Sequence, residues 1–441
     1  MIEIALKNLK EKKYLAALDI LKKLNHSKPN NPDILYCLGN VYYELNDLNK
    51  SIFYFEKSYR NFPNSEVIIN NYAMVLQNLG KIEEATNLFK KLINKNPKNI
   101  KAYFGLFITN PKNIYENYLD KLKTLTNDNN ITLEDKSLIN YIFSRNEKNN
   151  NNIDGEIKLL NKAHHDYFKH RNKYNLNLLF YLNEVIYKNY DKINVVKKSL
   201  SSFYSNTIKP IFIIGLPRSG STLIENLISQ NNENIYSYGE SGIIDSCIFD
   251  QLKNSIFNEN FNSKNLNLTI DYDVLINSLK NVYSFSEEKR FVDKSLENFF
   301  YIDLILQLFP EAKFIHTFRN KFDSAIAIHQ SMLINLPWSH NTKHISEHIL
   351  NYEKIMNYFK KKYSDKILDL ELENLTSNPE IYSKKIYDFC DLTWNKSFLD
   401  FYKNDKLFSK TNSSMQIRDK IKKYDKNKYQ PYYFLIENLL N

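Results

Sequence analysis

Length, glycine content and charge exclude several classes of protein. The chain has 441 residues, of which 8 are glycine and 3 are cysteine, and its formal net charge is +10 at pH 7. Average usage of about 7% would supply about 31 glycines, so collagen-like and glycine-rich low-complexity sequences are excluded. The cysteines form no CxxC pair, which excludes a zinc knuckle and a disulfide framework and favours a reducing compartment. The cationic excess suits an anionic ligand or nucleic acid. Most cations are lysines, however, in a chain rich in Asn and Ile, a composition that an AT-rich genome produces without any selection for binding. We therefore expect no nucleic-acid partner.

The N-terminal stretch MIEIALKNLKEKKYLAALDI lacks the apolar core of a signal peptide. No later run approaches the roughly 18 uninterrupted apolar residues of a membrane span. The chain is 43% hydrophobic and 14% aromatic, and its length predicts two or three globular domains. We therefore expect a soluble, cytoplasmic protein without a membrane span.

A fixed interval recurs through the first hundred residues. Pro29, Pro63 and Pro97 are each separated by 34 residues. The same interval separates small and large apolar positions, namely Ala17, Ser51 and Ala85, and Leu21, Phe55 and Phe89. A period of 34 residues, with small residues where helices cross and proline after the second helix, is typical of tetratricopeptide (TPR) helix pairs. An ordinary helical bundle does not require a fixed period.

Beyond residue 98 the repeat decays, but helical patterns continue. Residues 133–146 and 154–170 predict one further helical pair, separated by a polar asparagine-rich loop. We expect helices to continue to about residue 205. The first predicted domain is therefore a TPR helical domain over residues 1–205, with clear repeats to about residue 98.

From residue 209 the pattern changes from helices to short apolar strands. IFIIG at 211–215 is short and β-branched, as a buried strand would be. KFIHTF at 313–318 and a segment near 367–375 predict further strands, and helical patterns lie between them. This alternation predicts an α/β domain over residues 209–441 with a mainly parallel sheet.

A glycine-bounded loop follows the first of these strands. It reads Gly215-Leu-Pro-Arg218-Ser-Gly220-Ser221-Thr222 and leads into the helical pattern LIENLISQ. A strand, a tight loop and a helix N-terminus form a cradle for anions, because backbone N–H groups and the helix dipole point at the ligand. The spacing matches a Walker A loop, except that Ser221 stands in place of the lysine that reaches the β- and γ-phosphates. The missing lysine argues against a P-loop phosphotransferase.

The string PRSGSTLIE resembles the phosphosulfate-binding loop of sulfotransferases that use 3′-phosphoadenosine 5′-phosphosulfate (PAPS). With the repeats in front, the chain resembles the TPR-containing branch that is similar to protein-tyrosine sulfotransferases. The resemblance implies that one run of residues holds the 5′-phosphosulfate: Arg218, Ser219, Gly220, Ser221 and Thr222. The alternative is a tight strand-to-helix turn without a ligand.

Two further segments resemble the catalytic segments of that family. In YGESG, Glu240 matches the family's catalytic base, and a carboxylate suits removal of the acceptor's proton. FVDKSLENF resembles the family's Asp-Lys-x-Pro-x-Asn-Phe segment, with Leu296 in place of proline. The resemblance implies that Lys294 neutralises charge on the bridging oxygen of the donor. The alternatives are a solvated loop glutamate and a surface lysine.

The family's site for the 3′-phosphate has a partial match. Arg319 follows the strand at 313–318, where the family has an arginine that binds the 3′-phosphate, a natural role for a forked donor. A serine normally follows eight residues later, but this position is Ala327, so Ser324 is the candidate to compensate.

The C-terminal segment TNSSMQIRDKIKKY lies where a late serine of the family contacts the nucleotide. Ser413, Ser414 and Gln416 are the residues at this place, and Ser414 is the candidate cofactor-binding residue. The family's following stretch with Gly, Lys or Arg, and Trp is shortened here, and Lys422 or Lys423 could supply its charge.

Three histidines, His340, His344 and His348, have the spacing of one helical stripe. Such a stripe can bind a metal, but no Asp, Glu or Cys cluster lies near it in the sequence. We therefore expect a polar helix face and no metal site, and transfer from PAPS requires no metal.

The fold class expected from these features is an N-terminal TPR α-solenoid followed by an α/β sulfotransferase domain with a P-loop NTPase-like parallel sheet. The expected activity is transfer of a sulfuryl group from PAPS to an acceptor hydroxyl, such as a protein tyrosine or a glycan. The repeats would recruit a protein or peptide acceptor. The alternatives are a TPR adaptor with an inactive nucleotide-binding domain and, less favoured, a P-loop phosphotransferase.

Overall fold

The computed structural model describes residues 1–196, 207–229, 235–257, 268–283, 290–404 and 416–441. Within these ranges the chain forms two compact units, each made of three segments. The first unit comprises Met1–Lys7, Ala17–Leu178 and His329–Ile345, and the second comprises Asn8–Ala16, Leu179–Ile328 and Ser346–Asn441. None of the helices in the described ranges combines the length and apolar character needed to cross a membrane.

Twelve α-helices occupy the chain up to residue 180. They are α1 (Ile2–Lys10), α2 (Tyr14–Ser27), α3 (Pro32–Glu44), α4 (Leu48–Asn61), α5 (Glu66–Asn78), α6 (Ile82–Lys95), α7 (Ile100–Thr109), α8 (Pro111–Asn117), α9 (Leu119–Thr126), α10 (Leu133–Asn149), α11 (Ile153–His170) and α12 (Asn172–Phe180). Short polar side chains cap several of them: Asn31 accepts hydrogen bonds from the N–H groups of Asp33 and Ile34 at the start of α3. The predicted pair after the repeats is confirmed as α10 and α11, although α10 extends through most of the asparagine-rich loop.

The 34-residue period places Phe55 and Phe89 at equivalent positions, and each ring packs on a glycine of a neighbouring helix, the preceding helix for Phe55 and the following helix for Phe89. Phe55 of α4 packs on Gly39 of α3, where an added Cβ would lie 2.9 Å from the ring. Phe89 of α6, one period later, packs on Gly105 of α7, where an added Cβ would lie 2.3 Å from the ring. Ser51 of α4 also donates a buried hydrogen bond to the Gly39 carbonyl. Small residues are therefore needed wherever a phenylalanine ring meets a helix backbone.

The expectation of helices to residue 205 is wrong near its end. A π-helix (Tyr181–Ile186) and α13 (Tyr187–Asn189) are followed by strand β1 (Asn194–Val196). β1 pairs in parallel with β4 (Thr269–Asp271), a partner far away in sequence. Two consecutive valines favour the extended conformation once such a partner is available. The predicted boundary at residues 205–209 adjoins 197–206, which lie outside the described residues, and it stays a prediction.

Five further strands of the described ranges form one parallel sheet. They are β2 (Ile211–Gly215), β3 (Tyr236–Ser237), β5 (Phe291–Asp293), β6 (Lys313–Phe318) and β7 (Ile367–Glu371), in the order β3-β5-β2-β6-β7. The central strand β2 is buried along its whole length, as expected for a parallel strand covered on both faces. Its aliphatic residues pack with α14 and α21 in one core. The predicted parallel sheet is confirmed.

In the described part of the chain, nine α-helices accompany this sheet. They are α14 (Ser221–Ser229), α15 (Ile243–Ile256), α16 (Tyr272–Leu279), α17 (Ile302–Leu308), α18 (Lys321–His329), α19 (Thr342–Lys362), α20 (Leu372–Ser377), α21 (Pro379–Phe389) and α22 (Glu437–Leu440). Short 3-10 helices lie at Leu296–Tyr301, Pro337–His340, Lys396–Lys403, Gln416–Arg418 and Gln430–Leu435. The strand predicted near 367–375 ends at residue 371, because Leu372 begins α20 and its side chain packs beside Gly220.

The contact between Phe89 and Gly105 gives a prediction about stability. Gly105→Ala improves helix propensity by about 1 kcal/mol, but the new methyl group overpacks the contact at a typical cost of about 1 to 3 kcal/mol. We expect a lower apparent Tm, measured by circular dichroism at a helical wavelength. Phe89→Leu removes the ring that meets the methyl group, so Gly105→Ala should cost less in that background. An equal cost in both backgrounds would contradict the packing explanation.

Candidate active site

The glycine-bounded loop lies at the carboxyl end of the central strand β2. An added Cβ at Gly215, where φ is +140°, would lie 2.1 Å from the Thr317 carbonyl oxygen of the neighbouring strand β6. At Gly220, where φ is +92°, a Cβ would lie 2.5 Å from Leu372. The loop backbone is thus pressed against its neighbours, and only glycine fits at its two ends.

Two hydrogen bonds and one strained residue fix the shape of this loop. Thr317 donates a 2.6 Å hydrogen bond to the Ser219 carbonyl, and the Ser219 hydroxyl donates to the Leu216 carbonyl at 2.6 Å. Arg218 has a φ of +68°, a left-handed conformation that non-glycine residues rarely adopt. Such strain persists only where the surroundings impose it, and it is concentrated at ligand sites. The helix α14 begins directly after the loop, so the positive end of its dipole faces the loop.

The candidate base and the candidate catalytic lysine form an ion pair. Lys294 Nζ lies 2.7 Å from Glu240 Oε1 and 3.5 Å from Glu225 Oε2. The Lys294 side chain is 1% exposed, whereas that of Glu240 is 53% exposed. Burial alone would lower the pKa of Lys294, but the charges of Glu225 and Glu240 outweigh it and the pKa is raised. The lysine is therefore a buried cation, and its glutamate partner faces solvent.

A hydrogen-bond network around Asp293 holds the segment that carries Glu240. Asp293, fully buried at the end of β5, accepts hydrogen bonds from Ser241 at 2.5 Å and from Tyr283 at 2.7 Å. The Lys294 N–H donates to the Gly239 carbonyl at 2.8 Å. Burial raises the pKa of Tyr283 well above its ordinary value, so its phenol stays a neutral donor. Sequence analysis missed this network, although Asp293 directly precedes Lys294 in the quoted segment.

Arg319 lies just beyond the carboxyl end of β6 and is 8% exposed. It donates to the Asp323 backbone carbonyl at 2.9 Å, and its guanidinium carbon lies 5.0 Å from the centre of the Tyr429 ring. The Asp323 carboxylate accepts from the phenols of Tyr424 at 2.5 Å and Tyr433 at 2.6 Å. Burial raises the pKa of Tyr429, but the positive charge of Arg319 and its neighbours outweighs this, and the pKa is lowered. The Arg319 Nε is buried and has no hydrogen-bond partner among the described residues.

The structure also gives the surroundings of three further residues named from the sequence, Ser324, Lys422 and Lys423. The Ser324 hydroxyl donates to the Asn320 carbonyl at 3.0 Å, so it serves the first turn of α18. Lys422 is exposed and pairs with Asp419 at 2.6 Å, and Lys423 is also exposed. Tyrosines of the C-terminal segment lie around Arg319 instead. Ser413 and Ser414 lie outside the described residues, and so does the side chain of Gln416.

The three histidines do not form the predicted polar helix face, so that prediction is wrong. His340 ends a 3-10 helix and is buried, with its Nδ1 2.9 Å from Nδ1 of His164. His348 is buried in α19, where its Nδ1 lies 2.7 Å from the Tyr187 hydroxyl. Spacing alone could not reveal that a helix starts between them. Within the described residues, no group of three or more His, Cys, Asp or Glu side chains is arranged to hold a metal ion.

The sheet order brings the candidate residues together. The glycine-bounded loop follows β2, Lys294 follows β5 and Arg319 follows β6, and both of these strands are direct neighbours of β2. Open parallel sheets bind ligands at the carboxyl ends of their strands. Three cations and a solvent-facing carboxylate at one sheet edge can bind a polyanionic ligand and accept a proton beside it.

Two families of known proteins match separate parts of the chain. The Sulfotransferase family matches residues 210–396, and the Tetratricopeptide repeat family matches residues 32–65 and 71–99. A protein of Aquifex aeolicus (strain VF5), described only as "Uncharacterized protein", is 25% identical over 394 residues, which cover 84% of this chain and 49% of that protein. The Peroxisomal targeting signal receptor of Saccharomyces cerevisiae is 29% identical over 89 residues, which cover 20% of this chain and 14% of the receptor. The chain therefore spans about half the length of the first of these relatives and a smaller part of the second.

Solved structures of two kinds are similar to parts of the chain. The Sulfotransferase Domain from the Synechococcus PCC 7002 Olefin Synthase is 18% identical with a TM-score of 0.33, covering 53% of this chain and 91% of that domain. Sulfotransferase STF9 from Mycobacterium avium is 10% identical with a TM-score of 0.34, covering 77% and 88%. MamA 41-end from Desulfovibrio magneticus RS-1 is 17% identical with a TM-score of 0.29, covering 36% and 89%.

These TM-scores are too low to bear on the fold, which follows from the strand order and from the family matches. The repeat family matches lie within the helices whose 34-residue period the sequence shows. The sulfotransferase match begins at β2 and includes the glycine-bounded loop, Glu240, Lys294 and Arg319. The chain thus carries tetratricopeptide repeats followed by a domain of the sulfotransferase family.

Proposed function

We propose that this chain transfers a sulfuryl group from PAPS to an acceptor hydroxyl. The observation that carries the proposal is the convergence of Arg218, Lys294 and Arg319 at the ends of three neighbouring parallel strands, within the match to the Sulfotransferase family. A donor with a phosphosulfate at one end and a second phosphate at the other requires cations at separate places along one groove.

The described residues fit such a donor in two respects. The loop backbone packs closely against its neighbours at Gly215 and Gly220, and its other side, with the N-terminus of α14, can face an anion. Ser221 and Thr222 lie in the first turn of that helix. The buried, unpartnered Nε of Arg319 keeps a donor available for a second anionic group. Arg218 and its loop would hold the phosphosulfate, and Arg319 would hold the 3′-phosphate.

The proposed chemistry uses both members of the ion pair. Glu240 takes the proton of the acceptor hydroxyl while the acceptor oxygen bonds to sulfur and the bond from sulfur to the 5′-phosphate oxygen breaks. Lys294 neutralises the negative charge that collects on that phosphate oxygen. The products are the sulfated acceptor and 3′,5′-bisphosphoadenosine. Because Lys294 and Glu240 bind each other at 2.7 Å, this contact must open before the transfer.

The TPR repeats support a protein or peptide as the carrier of the acceptor hydroxyl. Stacked helical repeats expose extended surfaces that commonly bind other proteins. We propose that they recruit the acceptor, with a protein tyrosine or a protein-linked glycan as the hydroxyl that is sulfated.

The two competing functions predict different products. A TPR adaptor with an inactive domain would bind a partner and release no 3′,5′-bisphosphoadenosine from radiolabelled PAPS and a mixed acceptor pool. A phosphotransferase would consume ATP with magnesium, but Ser221 stands in place of the lysine that this chemistry uses. Release of bisphosphoadenosine that depends on acceptor would exclude both.

Arg218 is the first test of donor binding. Arg218→Ala should weaken binding of 3′,5′-bisphosphoadenosine and PAPS by about 100-fold or more, because a charge-assisted pair contributes about 3 kcal/mol. Isothermal titration calorimetry measures the affinity. Arg60→Ala, which changes an exposed arginine of α4, is the matched control and should bind as the wild type does. Undiminished affinity in Arg218→Ala would remove the centre of the proposal.

Glu240 separates binding from chemistry. Glu240→Gln keeps the size of the side chain but cannot accept a proton, so kcat should fall by about 100-fold or more while donor affinity changes little. The readout is formation of 3′,5′-bisphosphoadenosine at saturating donor. Glu380→Gln alters a surface carboxylate of α21 and is the control. A kcat within a few-fold of the wild type would exclude Glu240 as the base.

Arg319 tests recognition of the 3′-phosphate. Arg319→Ala should weaken 3′,5′-bisphosphoadenosine binding by about 30-fold, and should change the affinity for adenosine 5′-phosphosulfate, which has no 3′-phosphate, by less than about 3-fold. Arg319→Lys keeps the charge and should lie between the two. Equal losses for both nucleotides would show that Arg319 supports the fold of the site and does not bind the 3′-phosphate.

A further inference from the structure

Lys294 has two carboxylate partners, and they differ in exposure. Glu240 is 53% exposed, whereas the Glu225 side chain is 14% exposed. The ammonium is 2.7 Å from the exposed partner and 3.5 Å from the buried one. One counter-ion is therefore free to move into solvent or toward an acceptor, and the other is confined.

Glu225 is confined because its second oxygen is also engaged. Its Oε1 accepts a 2.5 Å hydrogen bond from the hydroxyl of Ser237 on β3, and the Ser237 oxygen accepts from the Gly239 N–H at 3.2 Å. Glu225 lies on α14, four residues after Ser221, so it is on the same face of that helix as the start of the anion loop. A single carboxylate thus joins the helix behind the anion loop to the segment before Glu240 and to Lys294.

The proposed reaction, on which this inference rests, requires the contact between Lys294 and Glu240 to open. Glu240 must turn to the acceptor hydroxyl, and Lys294 must act on the donor oxygen. A buried ammonium that loses its last counter-ion pays a large desolvation cost and tends to give up its proton. A neutral amine could not offset the charge of the leaving group, so a carboxylate that stays beside Lys294 when Glu240 turns away adds to the negative charge of the donor in keeping the amine protonated.

We propose that Glu225 is a positioning residue that keeps the Lys294 ammonium charged and in place while Glu240 is released to the acceptor. Glu225 touches neither the acceptor nor the reacting atoms in this scheme. It acts through Lys294, and the charge of its carboxylate is what matters.

The charges around Lys294 give the sign of the expected effect. Burial lowers the pKa of Lys294, while Glu225 from α14 and Glu240 from the loop raise it, with a net increase. Asp293, the preceding residue, is engaged by Ser241, Tyr283 and Asn298. Removing the charge of Glu225 therefore lowers the pKa of Lys294. The amine then loses its proton at a lower pH, and the alkaline limb of the kcat profile moves to lower pH.

Two substitutions separate charge from structure. Glu225→Gln keeps an oxygen that accepts the Ser237 hydrogen bond but removes the charge, whereas Ser237→Ala removes the hydrogen bond and keeps the charge. We expect Glu225→Gln to lower kcat about 10-fold, to change the KM for PAPS by less than about 2-fold, and to move the alkaline limb by about one pH unit. Ser237→Ala and Glu225→Asp should leave that limb in place. An unmoved limb in Glu225→Gln, or an equal shift in Ser237→Ala, would overturn the inference.

A measurement on the ligand-free protein keeps this test separate from the test of the proposed function. In protein labelled with 13C at the lysine ε-carbons, Lys294→Arg identifies the Lys294 resonance, and its titration is followed by NMR. We expect the Lys294 titration to move to lower pH in Glu225→Gln and to stay unchanged in Ser237→Ala. An unchanged titration in Glu225→Gln would overturn the role of Glu225 even if the wild type transfers sulfuryl groups. If Glu225→Gln shifts the Lys294 titration but the wild type never cleaves PAPS, only the proposed function is overturned.

Discussion

The register of β2 against its two neighbours is the constraint on which the candidate site depends. Gly215, the last residue of β2, lies opposite Thr317 of β6 and is so close to its carbonyl that no side chain fits. Thr317 then binds the Ser219 carbonyl inside the loop. Arg319 follows two residues after Thr317, directly beyond the end of that strand. A shift of β6 by one residue would therefore move the loop anchor and the arginine together.

The same sheet edge keeps strained and charged groups in place. A left-handed arginine costs on the order of 1 to 3 kcal/mol, and the loop around Arg218 tolerates this because its backbone is fixed from β6. On the other side of β2, Asp293 at the end of β5 uses both oxygens to hold the residues around Glu240 and Lys294. Asp293 is thus buried beneath the sheet edge, whereas Glu240, which turns to the acceptor in the proposed reaction, faces solvent.

Sequence patterns predicted the features that repeat or that are long and apolar. The 34-residue period identified the repeats because similar residues recur at equivalent positions, such as Leu21, Phe55 and Phe89. The strands β2 and β6 were identified from their short apolar runs, which the structure buries. The short strands β3 and β5 have two and three residues, which is too few for any periodicity to show. Their existence depends on pairing with strands that are distant in the chain.

The side chains that support the candidate residues were hidden for a similar reason. Glu225 lies within an apolar helical pattern, and its position four residues after Ser221 was the one local signal that it lies beside the anion loop. The tyrosines near Arg319 come from a segment about a hundred residues later in the chain. No pattern in either segment indicates the contact, since tertiary packing alone brings them together. The fold class and the motif residues were therefore readable from sequence, and the partners of those residues were not.

The two buried cations differ in how their charge is compensated, and this difference follows from the tyrosines. Lys294 pairs directly with carboxylates, so its charge is balanced before any ligand binds. Arg319 meets Asp323 through the backbone carbonyl, while the Asp323 carboxylate is taken by the phenols of Tyr424 and Tyr433. Burial, together with the contacts to Asp323, raises the pKa of both phenols, so they remain neutral donors. Because the phenols occupy the carboxylate oxygens, the contacts described between Arg319 and Asp323 do not include a direct ion pair, and an anion at the proposed 3′-phosphate site would not first have to break one.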